Sequence, residues 1–306
     1  MAAIRFINEF DSFTGDRYNL EIWDREYVGD PIEFNCAANG FALSYDNPGR
    51  MGPIMGTQCE ITMYIENTDH EELLTDLLLS EEGRFLINIT TGTGTPVPFW
   101  KGLILPDIGQ YNEEYYPTAF VITATDGIGA LRDIKYNNDG AAYTGKQRVL
   151  EHIVNCLTKI KYVDILFDDT DNFISSYIDW WEENMTHASD SSCALYQTYL
   201  NHAVWYKYDK GVQDFVSCYD VLVNIMTEFG ARITFAKGSF WIEQTSYRTA
   251  TTVIGRGYTK TSAFLGTGNF SGVNIIDQTA TGALEAIGVY EFLPALMAPR
   301  NSLHLP

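Results

Sequence analysis

His152 and Cys156 stand four residues apart, the spacing that puts two side chains on one face of a helix, and Cys193 and His202 follow further along the chain. Imidazole and thiolate are zinc ligands, but a zinc site needs them clustered. No two of the five cysteines (Cys36, Cys59, Cys156, Cys193, Cys218) form a CxxC pair. An odd, scattered set reads as reduced, mostly buried thiols. Asp168, Asp169 and Asp171 offer oxygens to a calcium ion, yet the central glycine and distal glutamate of an EF-hand loop are absent. They read as a solvated acidic loop. Thr91-Gly92-Thr93-Gly94-Thr95 lacks the lysine and following helix that cradle phosphate, so it reads as a hairpin loop. Trp180, Trp181 and Trp205 could stack on sugars; packing in a core or interface is the preferred reading. Glycoside hydrolysis needs a carboxylate pair, and nothing singles one out among the 40 acids. GxSxG, HExxH, Walker and GxGxxG motifs are missing. The expectation is a protein without catalytic residues, metal or cofactor.

The charge distribution points to assembly rather than chemistry. The formal net charge is −20. Residues 201–306 hold eight acids and eight bases, so residues 1–200, with 32 acids and 12 bases, carry all of it. Such a field repels phosphate and disfavours nucleic-acid binding. It suits a solubilising surface, or a channel wall that DNA passes without sticking. The longest apolar runs, such as Leu77–Leu79, fall far short of the roughly 20 residues that span a bilayer. Met1-Ala2-Ala3-Ile4-Arg5 leads into Glu9 and Asp11 without an apolar stretch, so no signal peptide is expected.

The elements that must position these residues are mostly strands. With 306 residues the chain is long enough for two or three domains, and 19 tyrosines and 17 phenylalanines suit half-buried sheet surfaces. Alternation predicts strands at 4–10, 18–28, 31–45 and 57–66, the last with Cys59, Ile61, Met63 and Ile65 in period two. Thr68-Asp69-His70-Glu71 reads as a capping box for a helix carrying Leu73, Leu74, Leu77 and Leu78, stopped by Gly83. Strands at 84–90, 97–105 and 118–125 follow, the last ending at Asp126-Gly127. Residues 146–160 have helical spacing, and 161–216 read as an irregular insertion with short helices. Ser217 opens a helix that Gly230 ends in the left-handed conformation. A hairpin then turns at Lys237-Gly238. After 245 the Thr/Gly/Ser-rich chain reads as an extended or loop-rich crossing, with its missing partner strands supplied by further chain or another subunit.

Two stretches carry a family resemblance. One is Trp100-Lys101-Gly102-Leu103-Ile104 with Ile122-Thr123-Ala124-Thr125-Asp126-Gly127-Ile128-Gly129-Ala130-Leu131-Arg132-Asp133-Ile134. The other runs from Cys218-Tyr219-Asp220-Val221-Leu222 through Phe229-Gly230-Ala231-Arg232-Ile233 to Phe240-Trp241-Ile242. Together they resemble the tail-tip and baseplate hub proteins of tailed phages, particularly long-tailed phages of Bacteroidetes-type hosts. The resemblance implies a mainly β (α+β) fold with β-barrel-like hub domains and a mixed helical insertion. On that basis residues 1–140 are the first barrel-like domain with one helix. Residues 141–245 are the mixed insertion, and 246–306 an extended or partial second barrel.

The function implied is that of a non-enzymatic virion subunit assembled in the bacterial cytoplasm. It would join the tail tube to the tip and line the DNA channel, with Gly127, Gly230 and Gly238 as structural positions. Its partners would be two further copies of itself in a homotrimer, tail tube or distal tail proteins, and tip or receptor-binding proteins. DNA would pass transiently without specific binding. A carbohydrate-binding β-module for host attachment and a tail-associated cell-wall hydrolase are the alternatives.

Overall fold

β1 (Ala3–Asp11) and β2 (Arg17–Asp24) pair antiparallel, and every second residue of β2, from Tyr18 through Leu20 and Ile22 to Asp24, is buried. That is the period of two expected for a strand with one face on a core. The computed structural model describes residues 2–12, 15–46, 48–49, 52–111, 115–178, 193–209, 212–244 and 253–270. Chain contacts divide it into two units.

The first unit comprises Met1–Asn47 and Gly56–Asp126. After β2 come β3 (Ile32–Glu33) and β4 (Asn35–Tyr45). The chain leaves this unit through the two-residue strand β5 (Ile54–Met55) and returns as β6 (Thr57–Ile65), α1 (Thr68–Leu78), β7 (Phe85–Thr91), β8 (Val97–Tyr111) and β9 (Thr118–Thr125). Eight strands lie in the order β3-β1-β2-β7-β8-β9-β6-β4. The two ends of that order, β3 and β4, are consecutive in sequence and separated by Phe34 alone. One bent segment therefore pairs with β1 on one side and β6 on the other, and the sheet is a nearly closed barrel. Leu20, Ile22, Cys59, Ile61, Ile89 and Trp100 fill the interior.

α1 covers one end of this barrel with Leu74 and Leu77 over Phe6, Phe34 and Phe120. Its cap differs from the sequence expectation. Asn67 caps the helix, its side-chain oxygen accepting from the His70 N–H at 2.9 Å, and Thr68 is the first helical residue. An Asn carbonyl serves this position as well as a hydroxyl, and the Glu71 carboxylate accepts instead from the Tyr116 hydroxyl. The helix also ends before Gly83: Leu79 is its C-cap, and Gly83 (φ +88°) turns the chain into β7.

The second unit comprises Pro48–Met55 and Gly127–Asn274. A 3-10 turn (Gly129–Arg132) leads to β10 (Lys146–Arg148), α2 (Val149–Leu157), α3 (Val163–Leu166) and β11 (Ile174–Tyr177). Then come α4 (Ala194–Gln197), β12 (Tyr199–Asn201), a second 3-10 turn (His202–Trp205), and the hairpin β13 (Tyr206–Asp209)–β14 (Val212–Phe215). α5 (Cys218–Glu228), β15 (Ala231–Ala236), β16 (Ser239–Gln244), β17 (Val253–Tyr258) and β18 (Phe264–Phe270) complete it. Six strands form a mixed sheet in the order β18-β17-β11-β16-β15-β5. α2 and α5 pack together, and Ile153, Leu222, Ile233, Phe235, Phe240 and Ile242 are fully buried.

One region read as irregular in the sequence and one read as an extended or loop-rich crossing thus both supply sheet. β11 sits inside the sheet, parallel to β16 and antiparallel to β17, and all four of its residues are buried. A strand covered on both faces shows no alternation. β17 and β18 pair through a Gly-rich ladder, Gly255 opposite Gly268 and Gly257 opposite Gly266, which hides the usual β signature.

Candidate functional site

At the helix-covered end of the barrel four charges lock together. Asp24 is fully buried at the end of β2. It accepts from Arg5 on β1 at 2.7 Å and from two nitrogens of Arg84 at 3.0 Å. Both guanidiniums also reach Asp76 on α1. Burial pushes the Asp24 carboxyl up, but hydrogen bonds from Arg84, the Glu26 N–H and Arg5 outweigh it and hold the group below the usual aspartate range. Arg84 is held above the usual arginine value, chiefly by its hydrogen bond to Asp24.

Near the other end a relay joins three strands. The Trp100 indole N–H donates to the Thr57 hydroxyl at 3.0 Å, and Thr57 donates its N–H and hydroxyl to the buried Asp126 carboxylate at 2.6 and 3.0 Å. Gly127 follows with φ +75°. Phe10, Tyr18, Phe41 and Phe99 form a ring cluster at this end, with centroids 5.3–6.4 Å apart.

These contacts shape the barrel's electrostatics. Residues 1–47 and 56–126 contain 21 acids and five bases. Arg5 and Lys101 are buried, Arg84 and Arg25 bond to the carboxylates above and to the Gly83 carbonyl, and Arg17 pairs with Glu9. Residues 25–31 and 66–84 at the helix-covered end, α1 among them, hold nine of the acids and two of the bases. The negative charge is thus concentrated on the barrel, and most densely at one end.

In the second unit His152 and His202 meet. β10 runs into α2 and β12 into the second 3-10 turn, and the ladder between them (Lys146 opposite Asn201, Arg148 opposite Tyr199) brings the two rings to 4.4 Å between centroids. Both are buried, and burial lowers both, His202 to about 4. The cysteines of the sequence pattern do not join them. Cys156 turns toward Cys218, and Cys193 accepts from the Tyr258 hydroxyl at 2.9 Å. Among the described residues no three His, Cys, Asp or Glu side chains gather as a metal site.

Asp168, Asp169 and Asp171 lie on an exposed turn, where the Asp171 carboxylate accepts from the Asp168 N–H and Asp169 pairs with Lys260 at 3.4 Å. Thr91–Thr95 connects β7 to β8, with Gly92 at φ +108°. Trp205 is buried, while Trp180 and Trp181 lie outside the described residues. Gly230 has φ +56° after α5, and Lys237 and Gly238, at +48° and +72°, turn the β15–β16 hairpin. No described helix is long and apolar enough to cross a membrane.

No protein-family model matches this chain, and no curated protein matches it. Among solved structures it is similar to the 43 kDa tail protein of prophage MuSo2 from Shewanella oneidensis. The likeness covers 66% of this chain and 52% of that one, at 10% identity and a TM-score of 0.31. The chain therefore corresponds to about half the length of that protein.

Proposed function

We propose that this chain is a non-enzymatic structural subunit of a bacteriophage tail tip or baseplate hub. Three copies form a ring between the tail tube and the tip, with the barrels facing the DNA path. The observation that carries this reading is the anionic barrel: 21 acids against five bases, with the bases buried or engaged. Such a surface repels phosphate at short range and makes no lasting contact with passing DNA.

The residues behind the family resemblance support a structural role. Trp100 and Asp126 serve the barrel's own packing through Thr57, and Gly102 leaves room for the Trp100 ring. The neighbours of the ring would be tail tube or distal tail proteins on one side and tip or receptor-binding proteins on the other.

A reconstruction of the particle tests this. The expected result is three copies around the tail axis with the acidic barrel loops facing the channel. A chain on the outside of the tail, or acidic loops facing only bulk solvent, would replace the hub reading with a peripheral binding module.

A further inference from the structure

The histidine pair is wired to accept no proton. The His152 Nε2 lies 3.3 Å from the Leu200 carbonyl, an obligate acceptor, so this nitrogen carries the hydrogen. Its Nδ1 must then accept, and two donors converge on it: the Trp205 indole N–H at 3.2 Å and the Tyr136 hydroxyl at 2.6 Å. The Tyr136 oxygen in turn accepts from His202 Nδ1 at 3.4 Å, which leaves His202 Nε2 as the bare nitrogen. That atom is buried without a hydrogen-bond partner. Tyr143 stacks on the His202 ring at 5.1 Å. A proton on His152 Nδ1 would set N–H against the Trp205 N–H. A proton on His202 Nε2 would bury a charge with no acceptor.

The surrounding ionisable groups offer little compensation. From the loop after the first 3-10 turn come Tyr136 and Tyr143, both raised by burial and neutral at any ordinary pH. α2 supplies Cys156 and Glu151, and α5 supplies Cys218. Glu151 is the one carboxylate acting on His202, but its oxygens already face the Arg148 N–H and guanidinium. The β12 strand presents only a backbone carbonyl, and on the following hairpin Lys207 and Asp214 are exposed.

We propose that this cluster is a proton-operated latch. Acid charges His152 and His202, ejects Trp205, and releases the turn His202–Trp205 together with the β13–β14 hairpin. The release is local because the hairpin is a two-stranded sheet of its own, and such a ribbon is marginal unless anchored. Its anchors to the rest of the unit are the Val216 carbonyl, which accepts from the N–H of Tyr136 at 2.9 Å, and Lys135, whose ammonium reaches the Phe215 carbonyl at 2.8 Å and Asp214 at 3.3 Å. α5 packs on α2 and on β15 of the six-stranded sheet, contacts in which the hairpin takes no part. The sign follows from proton counting. The folded cluster binds fewer protons than the released one between the depressed histidine values and the ordinary 6.5, so the latch is tight above that window and opens as pH falls through it.

Hydrogen exchange on the intact chain from pH 7.5 to 4.5, corrected for intrinsic rates, tests the latch. Peptides covering 199–216 should lose protection by about tenfold per pH unit for each ring that titrates, while peptides from 231–244 keep theirs. Protection in 199–216 that is flat with pH, or loss in both regions together, overturns the proposal. His202→Phe keeps the stacking and removes one titrating group, so the slope should fall; an unchanged slope also overturns it. Imidazole NMR of the unmodified protein needs no variant: one ring should stay neutral until about pH 4. If all five histidines charge near 6.5, the latch does not exist.

Discussion

The Trp100 indole lies across the α-carbon of Gly102, two positions along the same face of β8. A β-carbon built on Gly102 would sit 2.2 Å from the Trp100 ring and 2.5 Å from the Thr125 carbonyl oxygen. The glycine is required by the tryptophan, whose N–H holds Thr57 and through it Asp126.

Gly102→Ala should therefore destabilise the protein by about 1–3 kcal/mol, the usual cost of overfilling a packed core. Urea unfolding would show it as a lower midpoint at unchanged slope. A midpoint equal to wild type would mean that the ring moves aside freely.

Asp24→Ala should cost about 3 kcal/mol, because it leaves the buried Arg5 with Asp76 as its remaining carboxylate. The pH dependence has a definite sign. A carboxyl held low in the folded state contributes fully above the ordinary aspartate value of about 3.9 and loses that contribution as pH falls through its folded value. The gap between wild type and Asp24→Ala should thus narrow in acid, as read from unfolding midpoints between pH 7 and 3.

Gly230→Val should cost about 1 kcal/mol or more. No atom crowds the site within 4 Å, so the penalty is the positive φ itself, which a β-branched residue tolerates poorly. Gly230→Asn should cost less, since Asn visits this conformation more readily. Equal costs for the two in thermal unfolding would contradict a backbone origin.

Native protein should offer a thiol reagent only Cys36, and slowly. That residue is half-buried, and burial pushes its thiol up to about 12, whereas the other four are buried. Denaturant should release all five. More than one reactive equivalent in the native state would show that the cores open.

Much of this fold is legible in single residues. The alternation of β2 and β6, the Ser217 cap whose hydroxyl accepts from the Asp220 N–H, and the Lys237-Gly238 turn all act within a few positions of their own signal. β11 escaped because Ile174–Tyr177 is buried on both faces. β5 escaped because two residues carry no period. The histidine pair shows the limit most clearly. His152 advertised a partner four residues on, but its true partner, His202, is chosen by the β10–β12 ladder, which no local spacing records.

The placement of β5 also sets an order of events during synthesis. Ile54 pairs with Ile233, and Met55 with Thr234, so the strand leaves the ribosome long before its partner exists. At about 5–20 residues per second the wait is on the order of 10 s. The last four barrel strands, β6 to β9, emerge in that interval and complete the eight, since β9 ends at Thr125. Pro48–Met55 must then hang as an unpaired loop of a barrel already able to close. A nascent chain stalled before residue 231 would carry a finished barrel and a second unit that still lacks β15.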